Sequence, residues 1–369
     1  MTVHPTRICL VCPSLKAGGM ERVMSDFANY LASDPMCEVH LILFSDVERF
    51  FAIAPDISTH VLDSGGANRL FTALGMYRRL RSILRSLRPR AVLSFGSVYN
   101  SFVLLAALGL NLRVFVSDRS NPYRNTQFRL RRDPVARHDG VLQFFLRKWL
   151  YRNTAGIFVQ TETARRIEAS NSRHKNILIF ANPARPIDTS SEVRRKNVVL
   201  NIGRFVDTKN QLELIEIFAR VRFGDWQLVF LGDGPNKEIA EQRARDLGLE
   251  ERISFPGNVV DVERFILGSE IFAFTSVSEG FPNALLEAMS GGLACVSYDC
   301  VAGPSELITD GENGYLVPVG DKESFSEKLL RLMKDSSCRI SIQEKARNSV
   351  TNREASRVYA VVKQELLRI

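Results

Sequence analysis

Two acidic side chains and the start of a helix occur together in residues 279–289. The segment follows the apolar run 271–275, which is typical of a strand, and Pro282 suits the first turn of the helical pattern that begins there. Free backbone N–H groups and the positive end of a helix dipole bind anions or hydroxyl groups. Glu279 and Glu287 can then both accept hydrogen bonds from the paired hydroxyl groups of a sugar. Ordinary solvent-exposed acids beside a helix fit the same spacing.

A pair of cations follows another predicted strand. Gly203 and Arg204 come directly after the apolar run 198–202, and Lys209 lies five residues beyond Arg204. Positive charges at a strand end suit a diphosphate, because its leaving oxygen gains negative charge as the bond to a sugar breaks. The same pattern is compatible with two surface cations on a loop.

Two glycine-containing turns also follow predicted strands. Residues 232–235, Gly-Asp-Gly-Pro, form either a simple tight turn or one that approaches a nucleotide base. Gly18 and Gly19 follow the first apolar run and let a phosphate or sugar approach the next helix. The third glycine of the dinucleotide-binding pattern GxGxxG is missing, so Asp46 at the end of the second run does not by itself indicate such a site.

These loops lie between short apolar runs and helical stretches that alternate along the chain, which predicts parallel sheets covered by helices. The alternation pauses at the proline-containing stretch 181–186, continues as a polar segment to Lys196, and then restarts. We therefore predict an α/β protein of two doubly wound, Rossmann-like domains that face each other across a ligand-binding cleft. The predicted domains are residues 1–183 and 184–350, with a C-terminal helix in 351–369 packing back on the first domain. The predicted strands are 8–13, 39–44, 91–94, 114–117, 156–160, 198–202, 227–231, 253–255, 271–275, 294–297 and 315–317.

Composition sets the class of protein. A chain of 369 residues, 45% hydrophobic and 24% charged, suits a globular protein of two domains. We find no signal peptide and no run of about 18 apolar residues, and we expect the six cysteines to be reduced thiols in the cytoplasm. Cys9 and Cys12 lie within an apolar run, so they predict neither a zinc nor a redox site. The net charge of +8 fits nucleic acid, anionic lipid or a phosphorylated ligand.

Taken together, the motifs resemble family 4 of the retaining glycosyltransferases, which have the GT-B fold. The shared pattern consists of an early GG-x-E loop, a GR…K pair, a GxGP turn, an E-x7-E segment and a late DGxNGxLxP run. The resemblance covers nearly the whole chain and is densest in residues 201–318. The matching residues are Gly18, Gly19, Glu21, Gly203, Arg204, Lys209, Gly232, Gly234, Pro235, Glu279, Glu287, Asp310, Gly311, Asn313, Gly314, Leu316 and Pro318.

The resemblance implies transfer of a hexose or N-acetylhexosamine from a UDP-sugar. Arg204 and Lys209 would hold the donor diphosphate and, with Glu279 at the transferred sugar, form the catalytic set, while Glu287 would bind the ribose hydroxyls. No metal or other cofactor is expected, since the two cations and the helix start replace Mg²⁺. The remaining donor-binding residues would be Gly18, Gly19, Gly203, Asp233, Gly234, Gly280, Phe281, Asn283, Ala284 and Leu285.

The acceptor side departs from the family pattern, because none of the five histidines is clearly placed at a predicted strand end facing the cleft. Instead, residues 118–122, Asp-Arg-Ser-Asn-Pro, resemble the corresponding loop of enzymes that transfer N-acetylgalactosamine to lipid-linked oligosaccharides. Asp118 is expected either to bind acceptor hydroxyls or to cap a turn. The predicted acceptor-binding residues are Asp118, Arg119, Asn121, Arg129, Arg131 and Arg132.

Residues 128–152 mix many arginines with Phe144, Phe145 and Trp149. This pattern predicts contact with an anionic bilayer or with the pyrophosphate of a lipid carrier, whereas a helix buried on the sheet is the alternative. For residues 78–88 the buried helix is favoured. The predicted function is therefore extension of a polyprenyl-diphosphate-linked glycan by an enzyme bound peripherally to the inner face of the cytoplasmic membrane.

Other functions fit part of the sequence. A GDP-mannose-dependent mannosyltransferase shares the motifs, and a sugar-nucleotide epimerase shares the fold. A phosphorylase would need a pyridoxal-phosphate lysine and a longer chain. A nucleic-acid-binding protein fits the charge, but the chain has no zinc-finger or RNA-binding pattern, so no nucleic-acid partner is expected.

Overall fold

The computed structural model describes residues 5–16, 18–45, 49–63, 69–119, 141–185, 187–188, 193–221 and 223–368. The chain divides into two compact units. Unit 1 is Met1–Asn182 with Ser356–Ile369, and unit 2 is Pro183–Ala355.

Unit 1 contains a seven-stranded parallel sheet in the order β3-β2-β1-β4-β5-β6-β7. Its inner strands are mostly apolar, and every residue of β4 and β5 is buried, as expected where helices cover both faces of a sheet. The strands are β1 (Thr6–Cys12), β2 (Cys37–Leu43), β3 (Ser58–Val61), β4 (Ala91–Phe95), β5 (Val114–Ser117), β6 (Gly156–Val159) and β7 (Ile177–Ile179). The helices are α1 (Gly19–Ala32), α2 (Arg69–Leu87), α3 (Ser97–Ala107), α4 (Val141–Leu150) and α5 (Glu162–Ser172).

Unit 2 contains a six-stranded parallel sheet in the order β10-β9-β8-β11-β12-β13. The strands are β8 (Val198–Ile202), β9 (Gln227–Leu231), β10 (Ile253–Gly257), β11 (Ile271–Phe274), β12 (Ala294–Tyr298) and β13 (Tyr315–Val317). The helices are α6 (Gln211–Arg220), α7 (Lys237–Asp246), α8 (Val262–Gly268), α9 (Asn283–Ser290), α10 (Lys322–Lys334) and α11 (Ser336–Ser349). The predicted α/β class and the two parallel sheets are thus confirmed.

The core of unit 2 lies on both sides of its sheet, as β11 illustrates. Ile271 and Ala273 face one hydrophobic cluster, whereas Phe272 and Phe274 face the other, because successive side chains of a strand point to opposite faces. The sheet is therefore fixed from both sides, and the loops at its carboxyl ends start from rigid positions.

The last helix, α12 (Ala355–Leu367), packs on unit 1. The ring of Tyr359 lies 5.3 Å from that of Phe27 and 5.5 Å from that of Tyr30. At its end, Arg113 donates to the carbonyl of Leu366 at 3.2 Å and Arg90 to that of Arg368 at 3.2 Å. Cations at this end satisfy carbonyls that have no partner within the helix and oppose its dipole.

Candidate functional site

Loops from neighbouring strands of unit 2 are joined by backbone hydrogen bonds. Gly203, after β8, donates its N–H to the carbonyl of Leu231 at 2.9 Å, and Phe205 donates to that of Asp233 at 2.9 Å. Asn236 in turn donates to the carbonyl of Phe205 at 3.2 Å. The GR loop and the GxGP turn are therefore tied to each other by backbone hydrogen bonds.

The glycines of the GxGP turn are required by this close approach. Gly232 and Gly234 have φ of 132° and 155°. A Cβ on Gly232 would lie 2.2 Å from the carbonyl oxygen of Gly203, and one on Gly234 would lie 2.4 Å from that of Phe205. The turn thus packs against the GR loop, a reason for glycine that the sequence did not indicate.

Two of the three predicted catalytic side chains are in contact. The Nζ atom of Lys209 lies 2.5 Å from Oε1 of Glu279, and the side chains are 24% and 10% exposed. Thr275, after β11, donates its hydroxyl to the carbonyls of Lys209 at 3.3 Å and Asn210 at 3.2 Å. The loop after β8 is therefore tied to the loop after β11, which brings the cation to the carboxylate.

A buried thiol that the sequence analysis did not single out lies near this pair. Burial, with the charge of Glu279, raises the pKa of Cys300 to about 12, so the thiol stays neutral. The Lys209 ammonium also lies 5.5 Å from the centre of the Phe274 ring. Among the described residues, no group of three or more His, Cys, Asp or Glu is placed to hold a metal ion.

The helix start predicted from Pro282 is present, with Pro282 at the N-cap and Asn283 as the first helical residue. Within the part of the chain that the structure describes, the backbone N–H groups of Ala284 and Leu285 have no acceptor. Such groups at a helix start are suited to an anion. Glu287 lies half-buried in the next turn of α9.

Arg204 and Asp233 lie at the exposed rim of these loops. No ion pair or hydrogen bond of the Arg204 guanidinium is found among the described residues, whereas Asp233 accepts the N–H of Gly234 at 2.7 Å. Arg204 is therefore available to a ligand without breaking an existing contact.

In unit 1, Gly18 caps the start of α1 and accommodates the side chain of Glu21. A Cβ on Gly18 would lie 2.2 Å from Oε2 of Glu21. The carboxylate thus lies at the positive end of its own helix, where a negative charge is stabilised. Gly19 is the first residue of α1.

Asp118 lies in a buried cluster of charged and polar groups. Its carboxylate forms an ion pair with Arg147 at 2.7 Å and accepts hydrogen bonds from Tyr151 and Asn100 at 3.0 Å each. Arg147 also pairs with Glu168 at 2.7 Å. Both oxygens of Asp118 are thereby used in fixing α4 to the end of β5, which is neither of the roles weighed from the sequence; acceptor binding stays a prediction.

Arg119 is also held by the protein. Its guanidinium carbon lies 4.7 Å from the ring centre of Phe95 and 4.6 Å from that of Phe180, and it donates to the carbonyl of Phe180 at 2.8 Å and to Asn182 at 2.7 Å. Burial lowers its pKa to about 9. The other predicted acceptor-binding residues, Asn121, Arg129, Arg131 and Arg132, lie outside the described residues, as do the side chains of Phe144 and Phe145.

Comparison with known families places both halves of the chain. Residues 18–183 match the family model of the glycosyl transferase 4-like domain, and residues 187–349 match that of glycosyl transferases group 1. The second match contains the strand-end loops described above.

Relatives and solved structures agree with these matches. The chain is 22% identical over 379 residues, 98% of each chain, to a Campylobacter jejuni α-1,4-N-acetyl-D-galactosaminyltransferase named for a GalNAc-GalNAc-diNAcBac-PP-undecaprenol substrate. It is 34% identical over 149 residues, 40% of each chain, to a second C. jejuni enzyme, an N-acetylgalactosamine-N,N'-diacetylbacillosaminyl-diphospho-undecaprenol 4-α-N-acetylgalactosaminyltransferase. Anabaena HepE, solved with UDP and glucose, superimposes with a TM-score of 0.81 at 16% identity over 99% of this chain and 100% of that chain. The two adjoining family matches and the shared fold show that this chain is a glycosyltransferase of family 4 with the GT-B fold.

Proposed function

We propose that this glycosyltransferase takes a hexose or N-acetylhexosamine from a UDP-sugar, transfers it with retention of configuration, and needs no metal or other cofactor. The observation that carries the proposal is the contact between Lys209 and Glu279, with the N–H groups of Ala284 and Leu285 on the same loop and helix as Glu279. Retention rests on membership of family 4.

The chemistry follows from the charges. When the bond between the anomeric carbon and the diphosphate oxygen breaks, its electron pair leaves with UDP. Arg204 and Lys209 stabilise the charge that gathers on the diphosphate, and the start of α9 adds the positive end of a dipole. Glu279 accepts hydrogen bonds from hydroxyls of the sugar and Glu287 from those of the ribose. The UDP complex of HepE, which has the same fold, supports this donor.

The acceptor is a glycan linked to a polyprenyl diphosphate. Both C. jejuni relatives are named for undecaprenyl-diphosphate-linked substrates, and one of them aligns over 98% of each chain. Such an acceptor resides in a bilayer, so the enzyme requires a surface that meets anionic lipid. No nucleic-acid partner is part of the proposal.

We assign that surface to α2, α3 and α4, which pack side by side on unit 1. Residues 64–117 contain eight arginines and no acidic residue. As favoured from the sequence, Leu80 and Leu84 of α2 are buried, but Arg78 and Arg79 are exposed. Trp149 of α4 is 52% exposed. Exposed cations on α2 and an exposed tryptophan on α4 suit the interface of an anionic membrane.

None of the helices in the described part of the chain is long and apolar enough to span a membrane. Separately from that finding, the proposal includes peripheral attachment to the inner face of the cytoplasmic membrane, with the basic surface as its means.

The donor is tested by thermal unfolding with UDP, GDP and ADP, followed by transfer from UDP-sugars to a lipid-linked glycan extract. A ligand at about 100 times its Kd stabilises the folded state by about 2.7 kcal/mol, so we expect a clear rise in Tm with UDP alone. A larger rise with GDP would favour the mannosyltransferase, and conversion of a UDP-sugar without acceptor would favour the epimerase. Absence of any nucleotide effect would contradict the assigned site.

A further inference from the structure

The places where the chain enters and leaves unit 2 lie side by side. Ala184 donates its N–H to the carbonyl of Arg353 at 2.7 Å, and Ala184 and Glu354 form a parallel bridge. The 3-10 turn Thr351–Arg353 precedes this pairing. The backbone of Arg353, where the chain leaves unit 2, is thus fixed to that of Ala184, where the chain enters it.

The side chain of Arg353 points from this pairing to the loop that carries Glu279. Its guanidinium carbon lies 5.9 Å from the centre of the Phe281 ring, and its NH2 group donates to the carbonyl of Glu306 at 3.1 Å. Burial lowers the pKa of Arg353. A half-buried guanidinium therefore touches the aromatic residue two positions after Glu279.

The loop that carries Glu279 also packs against residues 303–306, and Arg353 forms a hydrogen bond with this segment. A Cβ on Gly303 would lie 2.5 Å from Cδ of Pro282, so Gly303 packs directly against the loop. The 3-10 turn Pro304–Glu306 follows Gly303 and supplies the carbonyl that accepts from Arg353. Phe281 is 6% exposed and belongs to the core cluster of α9. Arg353 therefore contacts Phe281 directly, and through its hydrogen bond to Glu306 it is also tied to the segment that packs on Pro282.

We propose that Arg353 is a positioning residue for the donor site, which fixes Phe281 and thereby the carboxylate of Glu279, the group that we assign to the transferred sugar. The proposal rests on the proposed function, since it assumes that this loop holds the donor sugar. It gives a role in the reaction to a residue that lies where the chain leaves unit 2, 74 positions from Glu279. Arg353 itself touches no substrate, so its effect should fall on turnover more than on binding of UDP.

The test compares Arg353→Met, Arg353→Lys and wild type in the full chain. UDP release from the UDP-sugar gives kcat and KM, isothermal titration gives the Kd for UDP, and thermal unfolding gives Tm. We expect kcat of Arg353→Met to fall about tenfold or more while the Kd for UDP stays within about threefold, because the assigned diphosphate and ribose contacts are unchanged. Arg353→Lys keeps a cation over Phe281 and should recover part of kcat.

Arg252→Met is the matched control. Arg252 also donates to a backbone carbonyl, that of Trp226 at 2.9 Å, and its guanidinium carbon lies 5.3 Å from the ring centre of Phe218, away from the donor loop. Its replacement should lower Tm without lowering kcat of the folded enzyme. Equal kcat values for the two methionine variants, or an equal loss of UDP binding and kcat in Arg353→Met, would overturn the positioning role. Failure of wild type to bind UDP would instead reject the donor site itself.

Discussion

Lys209 and Glu279 are 70 residues apart in the chain, yet their charged atoms lie 2.5 Å apart where the loops after β8 and β11 meet. The two side chains are only 24% and 10% exposed, so the cost of removing their charges from water offsets much of the attraction between them. The contact therefore matters for placement: it holds the cation that we assign to the diphosphate next to the carboxylate that we assign to the sugar hydroxyls.

Breaking this pair should affect turnover far more than folding. Lys209→Met removes the charge that we assign to the leaving diphosphate, and we expect kcat/KM to fall by about 10² or more. Glu279→Gln should retain UDP binding but lose turnover, because the neutral amide is a weaker acceptor for sugar hydroxyls. Steady-state kinetics and UDP titration measure both effects.

The control for that experiment is Lys322→Met, which breaks the pair of Lys322 with Glu216 at 2.8 Å on α10 and α6. Normal activity in Lys209→Met would contradict the assignment of Lys209, and an equal loss in Lys322→Met would indicate a general effect of charge removal.

Replacement of Gly234 by alanine tests whether the GxGP turn is required to pack on the GR loop. The new Cβ would lie 2.4 Å from the carbonyl oxygen of Phe205 at a φ of 155°, so the turn or the loop must move. Strain of this kind costs about 1–3 kcal/mol. We expect a lower urea midpoint, followed by the fluorescence of buried Trp226 in a Trp149→Phe background, and weaker UDP binding because Arg204 shifts with the loop.

Gly248→Ala separates backbone strain from the clash, since Gly248 has a φ of 62° but nothing within 4 Å of its added Cβ. This variant should lose some stability and keep its affinity for UDP. Equal UDP affinity in Gly234→Ala and wild type would show that the turn does not position the donor loops.

The positions of the loops that we assign to the donor could be predicted from sequence because each follows an apolar strand, and parallel strands bring their carboxyl ends to one edge. All eleven predicted strands are present. The sequence analysis missed β3, Ser-Thr-His-Val, because it is short and polar, and β7, because three residues are too few to show a period. Both lie at the edges of the sheet of unit 1.

Roles that depend on distant partners were not predictable. Arg147 was grouped with surface cations, but it is buried between Asp118 and Glu168, at positions 29 and 21 residues away. A helical pattern shows which face is apolar, not which buried carboxylate a cation will meet. The need for glycine at position 234 was not predictable either, because the carbonyl of Phe205 that excludes a side chain there is brought close only by folding.

The basic surface of α2, α3 and α4 should bind anionic liposomes. A cation near an anionic surface contributes about 1 kcal/mol, so the triple variant Arg78→Ser, Arg79→Ser, Trp149→Ser should weaken partitioning by roughly tenfold or more. Sedimentation with phosphatidylglycerol-containing vesicles measures it, and binding should decrease with added salt. The emission of Trp149 should shift to shorter wavelength on binding in the wild type.

A matched triple variant on α7, Ile239→Ser with Arg243→Ser and Arg245→Ser, removes one exposed apolar residue and two cations from unit 2. It should bind vesicles like the wild type. Equal weakening in both variants would show that binding follows net charge rather than this surface.

Arg113 should stabilise the docking of α12 on unit 1. Its guanidinium donates to the carbonyls of Glu365, Leu366 and Arg368 and lies 5.3 Å from the ring centre of Phe115. Charged hydrogen bonds at a helix end contribute about 1–3 kcal/mol, so Arg113→Met should lower the urea midpoint and speed amide exchange in α12. Arg85→Met, on the exposed face of α2, serves as control. Unchanged exchange in α12 would contradict this role.

The contact between His40 and His60 should make unit 1 less stable in mild acid. Nδ1 of His40 lies 3.1 Å from Nε2 of His60, and His40 also contacts Glu38, which pairs with Arg7. Burial, with the charges of His40 and Arg79, lowers the pKa of His60 below its ordinary value of 6.5. The unfolded chain therefore binds the proton more readily than the folded protein, and stability falls as pH decreases below 6.5 until the lowered pKa is passed.

Urea midpoints measured from pH 8 to pH 5 should decline less in His60→Gln than in wild type. His174→Gln, whose partners are Thr154 and Asn176, should decline like wild type. Parallel curves for His60→Gln and wild type would show that His60 does not set the acid sensitivity.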